Sequence, residues 1–523
     1  MLIDNQQQSN INEKLANLEE IKINKFPPQK NYSKKILLIW PGRFNAFDPD
    51  LPNSLFFLSK PLIAAGYEPV ILDMQIKNYE EFDYSGYLFY GISSMSGPQL
   101  GHAVNIAKLI RQKAPGFPIV WGGDHVGQEA ESTVKSGLCD YAVRGEAEKS
   151  IVDLANGFYN HTDLSSVPGL TTIINGKMIN NCPGEFIDYS IINHLPFHLV
   201  DLKSYPGMVD KFPYLSSKGC PFTCSFCTWK GNRLFRAKPP EVVVDELAEI
   251  AAKYGPKTVT FIDALFFARV DRVKRIAELL IERDLPIEIY AMCRVDLFER
   301  VSDEMLAILK KAKFNEIAFG GESGSDKQLV MMSKKTTQEQ LLKSAERCKK
   351  AGILPTYSFL LGLPDELDEH VPMTLNTIDK LKQLNPDGRA NIMAIFDPYP
   401  GAEYTDLVIK KYGFVLPKTL EEYAKGDWLR PESKVWIPKE KHHEYNVLQS
   451  LVRYFYVWDT LNQWDWKTFV ARHNGSRFFA LVSYVAHASL YPFAKFRWKR
   501  NYFKLGYEMI GWRKTAVALR GHE

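Results

Sequence analysis

Three of the seven cysteines in this 523-residue chain, Cys220, Cys224 and Cys227, fall within eight residues at C-x3-C-x2-C spacing. Thiolate sulfur is a soft donor that suits iron-sulfur clusters and zinc. On spacers this short, all three can turn inward from one loop and hold three irons of a 4Fe-4S cluster. Cys293 lies 66 positions after Cys227 and Cys348 further still, so the fourth iron would stay open to a substrate or cofactor. A zinc knuckle and chance clustering are the other readings of the spacing. Structural zinc usually takes four protein ligands in paired Cys/His sets, and no second pair follows here.

The stretch resembles the hallmark of the radical S-adenosylmethionine (radical SAM) superfamily, C-x3-C-x2-C with an aromatic before the last cysteine, here Phe226. The resemblance implies an open iron that binds the amino and carboxylate groups of S-adenosylmethionine. It also implies a reduced cluster that cleaves this cofactor to a 5′-deoxyadenosyl radical able to take hydrogen from an unactivated C-H. Further segments resemble motifs of the same group. Phe261-Ile262-Asp263-Ala264-Leu265-Phe266 is similar to F-x-D-D-x-F, which gives Asp263 to the cofactor's amino group and places Ala264 where the second Asp stands. Gly320, Gly321, Glu322 and Ser323 open a segment similar to G-x-E-S-G, which contacts the methionine or ribose part. Gly362 and Leu363 belong to a Leu-Leu-Gly-Leu-Pro segment similar to one that packs on adenine. Arg294 puts a cation near this pocket or pairs with Asp296 or Glu299.

These residues need a frame that brings loop ends together, and the chain's alternation of short apolar runs with amphipathic segments supplies one. From Phe212, strands are predicted at Pro213–Ser217, Thr258–Asp263, Ile287–Cys293, Glu316–Phe319, Pro355–Leu361 and Ala390–Phe396, with helices between them such as Pro240–Tyr254 and Gln338–Ala351. Six such units match the open (β/α)6 barrel of radical SAM enzymes, with cofactor contacts at strand ends. Upstream, predicted strands at Lys35–Trp40, Glu68–Leu72, Gly86–Ile92, Pro118–Trp121 and Asp140–Val143 alternate with helices at Ser54–Ala65, Gln99–Lys113 and Glu129–Ser136. That is a doubly wound parallel sheet, whose ligands bind beyond the carboxyl ends of the strands. The loops there carry Trp40 and Gly42, Ser93 and Ser94, Gly122, Gly123 and Asp124, and Gly145 and Glu146. A generic nucleotide or receiver domain fits the same pattern. The end-motifs G-I-S-S, V-W-G-G-D-H and D-Y-A-V-R-G-E-A-E resemble the cobalamin-binding domain that precedes the barrel in one radical SAM subgroup. No D-x-H-x-x-G occurs, and Trp40-Pro41-Gly42-Arg43 fills that loop, so a bound cobalamin would have no protein histidine on cobalt. His125 is read as a polar residue at the rim of its turn.

The fold class is therefore α/β: a leader at 1–33, a cobalamin-binding-like Rossmann domain at 34–150, a linker with a hairpin at 151–211, a partial barrel at 212–400 and a helical domain at 401–523. A formal net charge of +4 gives no polyelectrolyte signature of nucleic acid. Seven cysteines, an odd number with three clustered, and the lack of a signal segment or an apolar run of about 18 residues point to a cytoplasmic protein. Phe493–Lys504 interleaves cations with Phe496, Trp498, Tyr502 and Phe503. It either meets a membrane surface or packs over the barrel with its cations reaching to water. The resemblance implies a methyltransferase that uses a 4Fe-4S cluster, S-adenosylmethionine and cobalamin on an unactivated carbon of a small molecule whose identity the sequence does not fix, fed by an external electron donor such as flavodoxin or ferredoxin. A radical SAM cyclase or C-C coupling enzyme and a non-catalytic cobalamin or Fe-S sensor are the alternatives.

Overall fold

The computed structural model of the chain describes residues 33–42, 51–189, 192–205, 211–228, 233–463 and 477–504. The leader before Ser33, Arg43 and Pro206 fall outside them. The first apolar runs form β1 Lys35–Trp40, β2 Glu68–Asp73, β3 Tyr90–Ser93, β4 Ile119–Gly122 and β5 Tyr141–Val143. They pair in parallel in the order β2-β1-β3-β4-β5. Ile36 to Ile39 are all buried, as befits a central strand covered on both faces by helices. The chain leaves β1 for β2 on one side and returns as β3 on the other, so a crevice opens beyond the ends of β1 and β3.

Three boundaries differ from the expectation. The third strand begins at Tyr90 rather than Gly86, since the preceding tyrosines are taken up by loop contacts such as Tyr84 Oη donating to the Tyr79 carbonyl at 2.5 Å. The helix expected from Glu129 starts at Asp124 and breaks its regular geometry at Glu129. The hairpin turns through Asn175 and Gly176 at φ 51° and 74°, as an Asn-Gly turn of type I′ requires. Its strands, β6 Leu170–Ile174 and β7 Lys177–Asn180, are not a free-standing connector. They add antiparallel to β5 and extend the sheet to seven strands, covering an edge that would otherwise expose unpaired backbone.

The second sheet follows after a short gap. β8 Lys211–Tyr214 leads to an antiparallel ribbon of β9 Ser217–Lys218 and β10 Arg236–Ala237. Then come β11 Thr258–Phe261, β12 Glu288–Cys293, β13 Phe314–Glu322, β14 Leu354–Leu361 and β15 Arg389–Ile395. The six long strands are parallel in chain order from β8 to β15, and these two are the edges of an open barrel. Crossover helices such as Pro240–Tyr254, Val270–Arg283 and Gln338–Ala351 cover its outside. The last of these opens with a capping box between Thr337 and Gln340, which satisfies two otherwise orphaned backbone donors. Beyond the barrel, the helix Lys439–Gln463 packs against β15. Buried residues of both sheets form one continuous apolar core.

Candidate active site

The cysteine loop hangs between β9 and β10, and the buried layer below fixes its base. Asp263, at the end of β11, accepts hydrogen bonds from the Ser216 amide at 3.2 Å, from Ser216 Oγ at 2.8 Å and from Ser217 Oγ. Its side chain is fully buried, and desolvation pushes its carboxyl up while the serine hydroxyls pull it back. Both oxygens are thus engaged by the strand leading into the cysteines. Arg272 ties the same strand to β10, donating to the carbonyls of Lys238 at 2.9 Å and Ser216 at 3.2 Å.

Within the loop, the Cys227 amide donates to the Cys224 carbonyl at 3.1 Å, a tight turn that sets the second pair of sulfurs. Ser225 is held at both ends: its amide donates to the Met332 carbonyl at 2.9 Å, and its carbonyl accepts from the Tyr404 amide at 2.9 Å. Cys220 and Cys227 are partly exposed and Cys224 is buried, and no disulfide joins any of the seven cysteines. Among the described residues, no three His, Cys, Asp or Glu side chains converge as donors to a single metal ion. A four-iron cluster takes thiols that stand apart on one loop, because each binds its own iron. Cys293 lies in the core with its thiol on the Arg294 carbonyl, and burial pushes it well above the ordinary cysteine range. It is no source of a fourth thiolate.

Arg294 pairs with Asp296 and also stands beside the cysteine loop. It clasps Asp296 with contacts of 3.0 and 3.2 Å, while Nη1 points at Cys224 Sγ, 3.4 Å away. Nη2 donates to the Lys334 carbonyl at 2.5 Å, and the guanidinium lies 3.6 Å over the Phe222 ring. Glu299, the other candidate partner, accepts from Gln340 instead.

Glu322 sits at a bulge in β13 with φ 61°, and its carboxylate meets Lys334 Nζ at 2.8 Å in a largely buried pair. Gly320 makes this possible, since a Cβ there would lie 2.5 Å from Glu322 Oε1. Lys334 also reaches to 5.8 Å from the Phe226 ring, so Glu322, Lys334 and Phe226 share one neighbourhood beside the cysteines. Ser323 bonds Gln328 at 2.6 Å. Gly321 packs against Phe359 of β14. After β14, the carbonyl of Gly362 accepts from Trp436 Nε1 at 2.8 Å, and Leu363 is buried, so this turn is braced by residues beyond the barrel.

At the first sheet, Trp40, Gly42, Ser93, Ser94, Gly122, Gly123 and Asp124 gather at the ends of β1, β3 and β4 around the crevice. Gly123, at φ 100°, abuts Ser94 so closely that a Cβ would fall 2.4 Å from the Ser94 carbonyl oxygen. His125 is fully buried rather than at a rim, because the helix starts early and carries it inward. Its Nδ1 lies 2.9 Å from Ser96 Oγ, its ring meets Tyr423 edge-on at 5.1 Å, and burial pushes its pKa down to about 4. Gly145 stands against Pro183, and Glu146 serves another contact. Glu146 takes Arg236 through bonds of 2.6 and 2.7 Å, and Glu148 takes Lys218 at 2.7 Å. The first sheet is thereby clamped to the ribbon that carries the cysteines. Lys334, Arg236, Lys218 and Glu148 had no assigned role in the sequence, where each looks like an ordinary surface charge.

An open parallel barrel with three cysteines on its first loop, locked to a flavodoxin-like sheet, defines a two-domain enzyme of the iron-sulfur, radical-generating class. The radical SAM superfamily matches residues 214–378, and the B12 binding domain matches residues 51–155. An uncharacterized methyltransferase of Pyrococcus horikoshii is 28% identical over 364 residues, covering 68% of this chain and 75% of its own. The anaerobic magnesium-protoporphyrin IX monomethyl ester cyclase of Rubrivivax gelatinosus is 32% identical over 218 residues, covering 38% of this chain and 37% of its own. Among solved structures, the methyltransferase TsrM of Kitasatospora setae superposes with a TM-score of 0.63 at 19% identity, covering 73% of this chain and 77% of that one. The cobalamin-dependent enzyme OxsB superposes with a TM-score of 0.64 at 16% identity, covering 96% and 83%. The chain carries a B12-binding domain ahead of a radical SAM domain. Its cofactors are a 4Fe-4S cluster, S-adenosylmethionine and cobalamin. No helix among the described residues is long and apolar enough to cross a membrane.

Proposed function

We propose that this enzyme methylates a carbon atom of a small molecule, with Cys220, Cys224 and Cys227 each holding one iron of the cluster. The observation that carries this reading is the placement of the three cysteines on a loop braced both by the barrel and by the B12-binding sheet. When bound, the cofactors supply the electron, the radical and the methyl group; the chain's own residues bind, orient and exclude water. Asp263 acts through Ser216 and Ser217 to set the loop's base rather than through direct contact. Lys334 holds the Glu322 carboxylate in place, so that it can meet the amine or ribose hydroxyls of S-adenosylmethionine. Phe226, Gly320, Gly321, Ser323, Gly362 and Leu363 shape the wall of that pocket.

Trp40, Gly42, Ser93, Ser94, Gly122, Gly123 and Asp124 would hold cobalamin in the B12-binding crevice, and none of them would put a histidine on cobalt. His125 supports this reading, since its ring is packed against Tyr423 inside the protein. Glu146 belongs to the clamp through Arg236. The reaction takes place in the cytoplasm, with a flavodoxin or ferredoxin as electron donor. The test is anaerobic reconstitution followed by incubation with isotopically methyl-labelled S-adenosylmethionine and a panel of small-molecule acceptors. Label appearing on carbon supports methyl transfer, whereas an unlabelled, cyclised or coupled product would replace it with the alternative chemistry.

A further inference from the structure

The helix Arg477–Lys499 shows two unlike faces. Its C-terminal half is docked: Ala494 and Trp498 are buried, Trp498 Nε1 donates to Asp379 at 2.8 Å, and the Trp498 ring meets Phe455 of the helix Lys439–Gln463 edge-on at 5.5 Å. Among the described residues, the opposite face carries exposed apolar side chains. Phe478, Leu481, Val485 and Phe496 are 69%, 52%, 55% and 60% exposed, and Phe493 beside them is 66% exposed. At about 100° per residue, positions 478, 481, 485 and 496 fall within roughly 40° of one line, so these exposed side chains form a stripe about 27 Å long. One exposed phenylalanine needs no explanation, but a continuous stripe rimmed by polar groups marks a contact surface.

Charge selects the partner. Between Arg477 and Lys504 the chain has six lysines and arginines and no aspartate or glutamate. On the helix, Arg477, Lys495 and Lys499 are exposed and flank the stripe, and Arg500 follows directly. A second copy of this chain would set these cations against each other, and an acidic protein partner would want acid-seeking cations without so long an apolar line. An apolar stripe bordered only by cations fits the headgroup region of an anionic bilayer, where apolar side chains enter the acyl boundary and cations meet phosphate.

We propose that this helix is an interfacial anchor that seats the enzyme on anionic lipid membranes, lying flat on the surface without spanning it. The anchor joins the barrel beside its edge strand, because the helix Lys439–Gln463 that it packs on lies against β15. The full-length protein should co-sediment with phosphatidylglycerol/phosphatidylcholine vesicles at low salt. Pure phosphatidylcholine vesicles should retain it about tenfold less or weaker. Replacing Phe478, Leu481, Phe493 and Phe496 by Glu should abolish binding. The milder Lys495→Gln/Lys499→Gln/Arg500→Gln variant should weaken it by about tenfold or more, with unchanged circular dichroism showing that both variants are folded. Absence of wild-type binding to anionic vesicles at low salt would overturn the proposal. So would a wild-type dimer, seen by light scattering, that the glutamate variant splits into monomers, since that would assign the stripe to a second copy.

Discussion

Arg294 offers the sharpest perturbation, because its guanidinium Nη1 stands 3.4 Å from Cys224 Sγ and the site turns on a one-electron step. Reduction adds one negative charge spread over the cluster. A full positive charge about 6 Å from its centre, at an effective dielectric of about 20, favours the reduced form by roughly 3 kcal/mol. Asp296, 3.0 Å from the same guanidinium, cancels part of that field. With half of it cancelled, about 1.4 kcal/mol is left, which is tenfold in a one-electron equilibrium or about 59 mV. Hydrogen bonding to cluster sulfur acts in the same direction. Arg294→Gln should therefore lower the midpoint potential of the reconstituted cluster by about 60 mV, whereas Arg294→Lys should recover part of the shift. An electron paramagnetic resonance potentiometric titration of the three proteins measures this. A potential that stays put or rises in Arg294→Gln would refute the assignment of Arg294 to the cluster.

Other consequences follow from the same contacts. Lys334→Met leaves Glu322 buried without its partner, so denaturant unfolding should show a loss of about 3 kcal/mol and S-adenosylmethionine should bind more weakly in equilibrium dialysis. The Glu146–Arg236 clamp should give a coupling energy of about 1–3 kcal/mol in a Glu146→Gln/Arg236→Met cycle, read by thermal unfolding; additive effects would mean that the clamp is idle. His125 is neutral when folded, with a pKa pushed down to about 4 against an ordinary value of 6.5. The unfolded chain takes up this proton first as pH falls, so the stability due to a neutral His125 is full above pH 6.5 and is lost between there and about pH 4, up to roughly 3 kcal/mol. His125→Gln should flatten that stretch of the stability profile. Finally, the Co(II) state of bound cobalamin should show no nitrogen superhyperfine splitting from a protein ligand.

Much of this arrangement was legible in the chain because periodicity and spacing are local signals. The run Lys35–Trp40 became β1 without change, and Cys220, Cys224 and Cys227 share one loop after the first barrel strand, as their spacing implies. The hairpin was visible through Asn175-Gly176, yet its pairing with β5 was not, since an edge's need for a partner lies outside the hairpin's own residues. Asp263 could be marked but not its partners: Ser216 and Ser217 lie 47 and 46 positions away in the chain. The same holds for Lys334 beneath Glu322, and for Glu146 and Glu148, whose cations belong to another sheet. Long-range ion pairs leave no periodic trace in sequence. His125 illustrates the converse, for a helix start shifted by five residues moves a side chain from rim to core.

The central claim, a cluster on these three cysteines that cleaves S-adenosylmethionine, is tested most directly by quantifying 5′-deoxyadenosine after anaerobic reconstitution and dithionite reduction. The wild-type protein should form it, and Cys220→Ala/Cys224→Ala/Cys227→Ala should lack both the iron-sulfur absorption and the product. A variant that keeps the cluster, or a fully reconstituted wild type that yields no 5′-deoxyadenosine with any acceptor, would contradict the account.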